Sequence, residues 1–272
     1  MKLTPDTAPL RRFEWPSRRV RGASAAVVVR ALGLAGAVAL WHLVAAFYDN
    51  PALLSPVVVM PELWQLLRSG DLNQHILFST SYVMLGWGLA SALAFGVGSM
   101  AALYAPVRWV VMPPLNAIRG VGALALYPLI LLLFGIGLQS KVFIVAWTAW
   151  PSVLLNTVSS LERVPSTYRE AARLETDNRW EIFYYVQCPL AFPGIWTGLQ
   201  IGLSGAWISL VAAEMLGGNK GLGYFILMSS QTFKLSQMYG GVVVVAVIGL
   251  VFNLVLSAIA LSSTYYRSEQ WK

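Results

Sequence analysis

The chain has 272 residues, of which 57% are hydrophobic and only 11% charged, whereas soluble domains carry about 25% charged residues, so a soluble globular protein is excluded. The formal net charge is +7, but the basic residues gather at the ends of apolar runs, where they mark membrane topology and not a nucleic-acid surface. A single cysteine, Cys188, rules out an internal disulfide and a thiolate metal cluster, and the distant His42 and His75 give no reason to expect a metal site.

In chain order, a basic tail over 1–24 carries Lys2, Arg11, Arg12, Arg18, Arg19 and Arg21. The apolar run behind it is longer than the ~7–15 residues of a signal-peptide core and lacks a clear cleavage site, so it is expected to be a retained first span. Runs of about 20 residues suited to crossing a bilayer follow at Ala25–Phe47, Phe78–Tyr104, Gly120–Ile136, Lys141–Leu161, Phe192–Leu216 and Gly240–Leu261. The runs are continuous and do not alternate with polar residues, which excludes a β-barrel. The expected fold is therefore an all-α integral membrane protein of six transmembrane helices, one domain over 25–264 with short tails at 1–24 and 265–272.

Between the second and third spans, Ala105–Arg119 contains Pro106, Pro113 and Pro114 and two arginines, and reads as a short interfacial helix. The excess of arginine and lysine predicts that this segment, both tails and the polar loop near 164–189 lie in the cytoplasm. Arg68, Lys141, Lys220 and Lys234 then fall outside. The outer segments contain a short helix near Pro61–Arg68 and a Gly-rich turn over 217–223. Small residues recur every fourth position at Gly86, Ala90, Ala94, Gly98 and Ala102, and again at Gly194, Gly198, Gly202 and Ala206. Such faces let helix backbones approach closely and are expected to be packed. Asn156, Gln200 and Asn253 are expected to bond between helices, and Glu214 to reach the outer interface from the last turn of its span, with a buried functional acid as the costlier alternative.

The loop VPSTYREAARLETDNRWEIFYYVQCPLAFPGI, Val164–Ile195, is the long polar interruption of the second half. Thr167 and Glu170 are spaced as a capping box for a helix running to about Glu175, and Asn178 and Glu181 repeat the box after a break at Thr176-Asp177-Asn178. The second short helix places Trp180, Phe183 and Tyr184 on one face and is expected to end at Pro189. From the residues alone, this is either a solvated loop with aromatic anchors or a docking element for another subunit. No phosphate-binding loop, Ser/His/Asp constellation or H-E-x-x-H pair occurs, so no hydrolytic activity of the chain's own is expected.

Glu170-Ala171-Ala172, the helix break after it and the proline near Pro189 resemble the EAA loop of permease subunits of binding-protein-dependent ABC importers. The likeness continues through Pro128-Leu129, Phe134–Gly137, Ser140-Lys141, Gly198–Leu203, Ala206-Trp207, Ala212–Leu216 and Gly221–Gly223, and is similar to the branch carrying nitrate, sulfonates and taurine. The resemblance implies an ATP-driven importer in the bacterial-type inner membrane, with both termini cytoplasmic. Its partners would be a second permease copy (a homodimer), two ATPase subunits that hold ATP and Mg, and an extracytoplasmic binding protein. The chain itself would bind no cofactor and no nucleic acid. The implied ATPase-coupling residues are Glu170, Ala171, Ala172, Arg173, Leu174, Thr176, Asp177 and Arg179, anchored by Trp180, Phe183 and Pro189. Arg119, Tyr127, Ser204 and Trp207 are the candidates to line the pathway; Arg119 is either a plain positive-inside anchor or a cation exposed to an internal vestibule, where it would favour an anionic solute. Thr176 stands where the family usually has Gly, which requires either an unusual conformation at Asp177 or Asn178 or a re-capped turn. A self-contained secondary transporter or channel is the alternative, disfavoured by the lack of paired intramembrane carboxylates; a membrane-embedded enzyme is disfavoured by the missing catalytic constellation.

Overall fold

The computed structural model describes residues 23–48 and 50–270, with side chains at 29, 31–48 and 50–260. The basic residues of the N-terminal tail and the end of the C-terminal tail lie outside the described residues. Every regular element among the described residues is a helix. The chain forms two compact units, Met1–Val57 and Val58–Lys272. The first holds α1 (Ala23–Phe47), whose 25 residues suffice to cross a bilayer.

The second unit is built around α6 (Leu138–Glu162), which packs along α3 (Asp71–Leu103) on one side and α9 (Cys188–Gly217) on the other. The small-residue faces explain why. A Cβ on Gly86 would fall 2.6 Å from Val145 Cγ1, one on Gly198 2.5 Å from Asn156 Cβ, and one on Gly202 2.9 Å from Val153 Cγ2. Both glycine faces are thus spent on contact with α6, where dispersion replaces the hydrophobic drive that lipid does not supply. Gly88 and Gly96, off these faces, meet nothing within 4 Å.

Among the described residues of the second unit, four helical segments are long and apolar enough to span a membrane: α3, α6, the continuous stretch Arg179–Gly217, and α11 (Leu235–Gln270) over its Leu235–Ala260 part. The expected third span, Gly120–Ile136, differs. Its helix α5 (Ala123–Phe134) has 12 residues, about 18 Å, which is short of a ~30 Å hydrocarbon core. It joins α4 (Ala105–Arg119), the interfacial helix read from the sequence, through a 98° bend at Gly120-Val121-Gly122. The pair is a broken or re-entrant element, not a straight span.

α3 begins about two turns earlier than the apolar run suggests, because Asp71 to Leu77 continue the helix outward. α2 (Pro56–Ser69) extends the short helix expected at 61–68, and Gln237 Nε2 ties it to α11 by donating to Glu62 Oε1 at 3.1 Å. A further helix, α10 (Leu222–Gln231), occupies the outer segment that the sequence presented only as a Gly-rich turn. The two ends of the bundle are chemically distinct. At one, Arg108 of α4 pairs with Glu162 of α6 at 2.5 Å. At the other, Lys141 of α6 donates to Lys220 O at 3.2 Å.

Of the polar residues expected to join helices, Gln200 does so, donating to Ser257 Oγ of α11 at 3.1 Å. Asn156 instead donates to Ser152 O on its own helix at 2.8 Å, because Gly198 brings α9 too close for its amide to reach across.

Candidate functional site

The polar loop leaves α6 at Arg163 and returns into α9, the two helices that share the longest packed face. It folds as α7 (Ser166–Arg173), a turn, and α8 (Arg179–Ile182). The expected Thr167 cap is not made. Pro165, with φ −56° and ψ 139°, already turns the chain out of helix geometry, so α7 starts at Ser166 and Thr167 falls inside its first turn. The second cap is made: Asn178 Oδ1 accepts from Trp180 N at 3.0 Å and its Nδ2 donates to Glu181 Oε1 at 3.1 Å.

Thr176 completes this turn. Its hydroxyl donates to Glu181 Oε2 at 2.7 Å and accepts from Asn178 N at 3.2 Å. No residue of the break has positive φ, the only such non-glycine among the described residues being Phe233. The re-capped turn is therefore what replaces the usual glycine: a side-chain hydroxyl supplies a turn that does not need the left-handed conformation.

Pro189 does not end the second helix. Residues Phe183–Gln187 form a π-helical turn through which α8 runs directly into α9, with Cys188 N donating to Phe183 O. The wider turn accommodates a proline near the start of α9 that has no N–H to give. Phe183 is buried among Leu161, Val164, Ala191 and Ile195, and Trp180 and Tyr184 sit against its ring at 6.2 and 5.3 Å. Phe183 is thus the buried anchor, and Trp180 covers it from the surface.

Beyond the anchor, Glu170, Ala171, Arg173, Asp177 and Arg179 are exposed, Ala172 and Thr176 are half-buried, and Leu174 is 90% exposed at the tip. The loop presents an open surface held from beneath by an aromatic knot.

The pathway candidates do not come together. Arg119 is exposed at the α4–α5 bend, beside a cavity of about 240 Å³ that it lines with Gly122, Trp147, Thr148 and Ser152. Ser204 and Trp207 line a separate cavity of about 300 Å³ between α9 and α11, with Gln200 and Asn253; Trp207 Nε1 donates to Val245 O at 3.1 Å. Tyr127 is fully buried in the core.

At the opposite end lies a cluster that the sequence did not reveal. Glu214 does not reach an interface: it is fully buried, and its carboxylate accepts from Ser79 Oγ at 2.8 and 2.9 Å and from Gly223 N at 2.9 Å. Ser79 Oγ in turn accepts from Leu222 N at 2.8 Å, and His75, one turn before Ser79, accepts at Nδ1 from Gly221 N at 3.1 Å. Lys141, also buried, lies 5.1 Å from the Tyr82 ring and acts on Glu214 electrostatically. A buried carboxylate is tolerated only when such donors replace water. Gly221, at φ +110°, and Gly223 are required here: a Cβ would fall 2.2 Å from the Glu214 carboxyl carbon in the first case and 2.1 Å from Val211 O in the second. The only advance signal was the i, i+4 spacing of His75 and Ser79 ahead of an apolar run.

Residues 94–262 match the family described as binding-protein-dependent transport system inner membrane component. The chain is 32% identical over 258 residues to the riboflavin transport system permease protein of Chloroflexus aurantiacus, covering 92% of this chain and 90% of that one. It is 30% identical over 207 residues to the taurine transport system permease protein of Escherichia coli, covering 75% and 74%. Its fold superposes on an inward-facing form of the MetNI methionine ABC transporter with a TM-score of 0.64 at 18% identity, over 75% of this chain and 98% of that one.

Proposed function

Because the chain belongs to the family of inner-membrane components of binding-protein-dependent ABC transport systems, we propose that it forms the pathway of an importer driven through the 164–189 loop. An ATPase subunit receives α7 in a surface groove, with Glu170 making charge-assisted hydrogen bonds to it, Ala171 and Ala172 allowing close approach, and Leu174 inserting at the tip. Arg173, Thr176, Asp177 and Arg179 complete that contact. ATP and Mg are held by the ATPase, and this chain carries no catalytic group.

The observation that carries the reading is the mounting of the loop. It is clamped between α6 and α9, which pack face to face through Gly198 and Gly202, and it is anchored by Phe183. A displacement of α7 therefore moves both helices as a body, which is what rigid-body rocking of a bundle requires. Two copies of the chain, with termini in the cytoplasm, form one pathway at their interface, and an extracytoplasmic binding protein delivers the solute.

The solute is small and anionic, of the sulfonate, taurine or nitrate kind. Arg119 supports this, because an exposed guanidinium beside Thr148 and Ser152 suits a compact oxyanion. The test is Glu170→Lys in the assembled importer. Uptake and co-purification with the ATPase are expected to fail while the membrane domain keeps its elution volume; normal uptake would refute the assignment.

A further inference from the structure

The arginines of the loop do not all face outward. Arg169 and Arg173, one turn apart on α7, and Arg179 at the start of α8 converge on a cleft of about 470 Å³, whose other lining residues are Ala102, Leu103, Asp177, Ile182 and Gln187. None of the three guanidiniums makes an ion pair among the described residues. Glu181 is held by Thr176 and Asn178, and Asp177 is the one acid that lines the cleft, leaving an excess of two positive charges.

The position of the cleft selects its occupant. Ala102 and Leu103 are the last two residues of a membrane-crossing helix, and Ile182 and Gln187 stand near the start of a later one, Arg179–Gly217. The cleft is thus formed where membrane-crossing segments end and begin, a region suited to headgroups, and it is lined by three apolar residues and three guanidiniums. Guanidinium binds phosphate through two parallel hydrogen bonds, and a volume of this size is ordinary for a small-ligand site. Glu170, Ala171, Ala172 and Leu174, the centre of the ATPase contact proposed above, do not line the cleft, whereas Arg173, Asp177 and Arg179 border both surfaces.

We propose that this cleft is a binding site for the phosphodiester headgroup of an anionic phospholipid, with phosphate on Arg169, Arg173 and Arg179 and a headgroup hydroxyl donating to Asp177. Phosphatidylglycerol has both features. The site pins the loop to the membrane plane from within, so that lipid charge becomes a determinant of loop position. The inference rests on the placement of the loop at a membrane surface, and not on its contact with an ATPase.

The experiment is native mass spectrometry of the full chain, purified in detergent and offered equal phosphatidylglycerol and phosphatidylcholine of the same acyl composition. The wild type is expected to retain phosphatidylglycerol about tenfold in excess. Arg169→Gln and Arg173→Gln should each lower that ratio, the triple Gln variant should abolish it, and Arg119→Gln should leave it unchanged. Equal retention of the two lipids by the wild type overturns the proposal. So does full displacement of lipid by millimolar inorganic phosphate, which would make the cleft a site for the free anion. If the ratio is flat yet Glu170→Lys still abolishes uptake, the lipid site fails and the coupling role stands.

Discussion

Ser79 stands between the carboxylate of Glu214 and the backbone of α10, donating to Glu214 Oε1 at 2.8 Å and accepting from Leu222 N at the same distance. One hydroxyl thereby joins three helices at a point with no access to water. Ser79→Ala leaves a buried carboxylate short of a donor and a buried amide unpaired, at a cost of about 1–3 kcal/mol. The thermal midpoint in detergent is expected to fall by several degrees; an unchanged midpoint would show that the network bears no load.

Gly221→Ala is expected to be worse than Ser79→Ala. The added methyl group meets the Glu214 carboxylate in a backbone conformation that L side chains rarely adopt. Yield of folded protein should collapse for this variant, whereas Gly96→Ala, with open space around it, should express normally.

The face between α6 and α9 can be probed without touching charge. Gly198→Val drives a branched side chain into Asn156, and overpacking of this kind costs about 1–3 kcal/mol or more. Gly88→Val, on an open face, serves as the control. Equal thermal midpoints for the two would contradict the packing.

Thr176→Val removes a 2.7 Å hydrogen bond to Glu181 and the acceptor for Asn178 N. A loss of about 1 kcal/mol in the turn is expected to appear as faster amide exchange at Asn178 and Trp180, with the spans unaffected. Thr176→Ser, which keeps the hydroxyl, should restore protection.

Arg119→Gln tests the anionic solute. In proteoliposomes with the binding protein and ATPase, the apparent KM for uptake should rise about tenfold, the equivalent of 1.4 kcal/mol, while ATP turnover without solute stays as in the wild type. An unaltered KM would remove Arg119 from the pathway.

Much of the bundle was legible because its packing is written in local spacing. Small residues every fourth position mark the faces of α3 and α9, and the structure seats both on α6. The Asn178 cap was legible for the same reason, since its partner lies three residues away. Thr167 misled because a proline two residues earlier had already fixed where α7 begins. The outer cluster was not legible, since Ser79, Lys141, Glu214 and Gly221 come from four separate parts of the chain, and only the fold brings them together. Read singly, Glu214 was expected at the interface, Lys141 outside and Gly221 in a turn, and Ser79 carried no signal. The 98° bend was likewise hidden, because Gly120–Ile136 has a span's composition but glycines at the two places where the backbone changes direction.

The π-helical turn at Phe183–Gln187 has an angular effect on everything upstream of it. One extra residue in a turn displaces the azimuth of the preceding segment by about 100° relative to a continuous α-helix. The direction in which α7 points is thus decoupled from the phase of the small-residue face on α9. Deleting Tyr185 would let the turn relax to α geometry, leave the register of Gly198 and Gly202 intact, and swing α7 around the bundle axis. The orientation of the loop is therefore a quantity that a single insertion or deletion can reset, with loss of the Phe183 anchor, while the Gly198 and Gly202 contacts with α6 stay as they are.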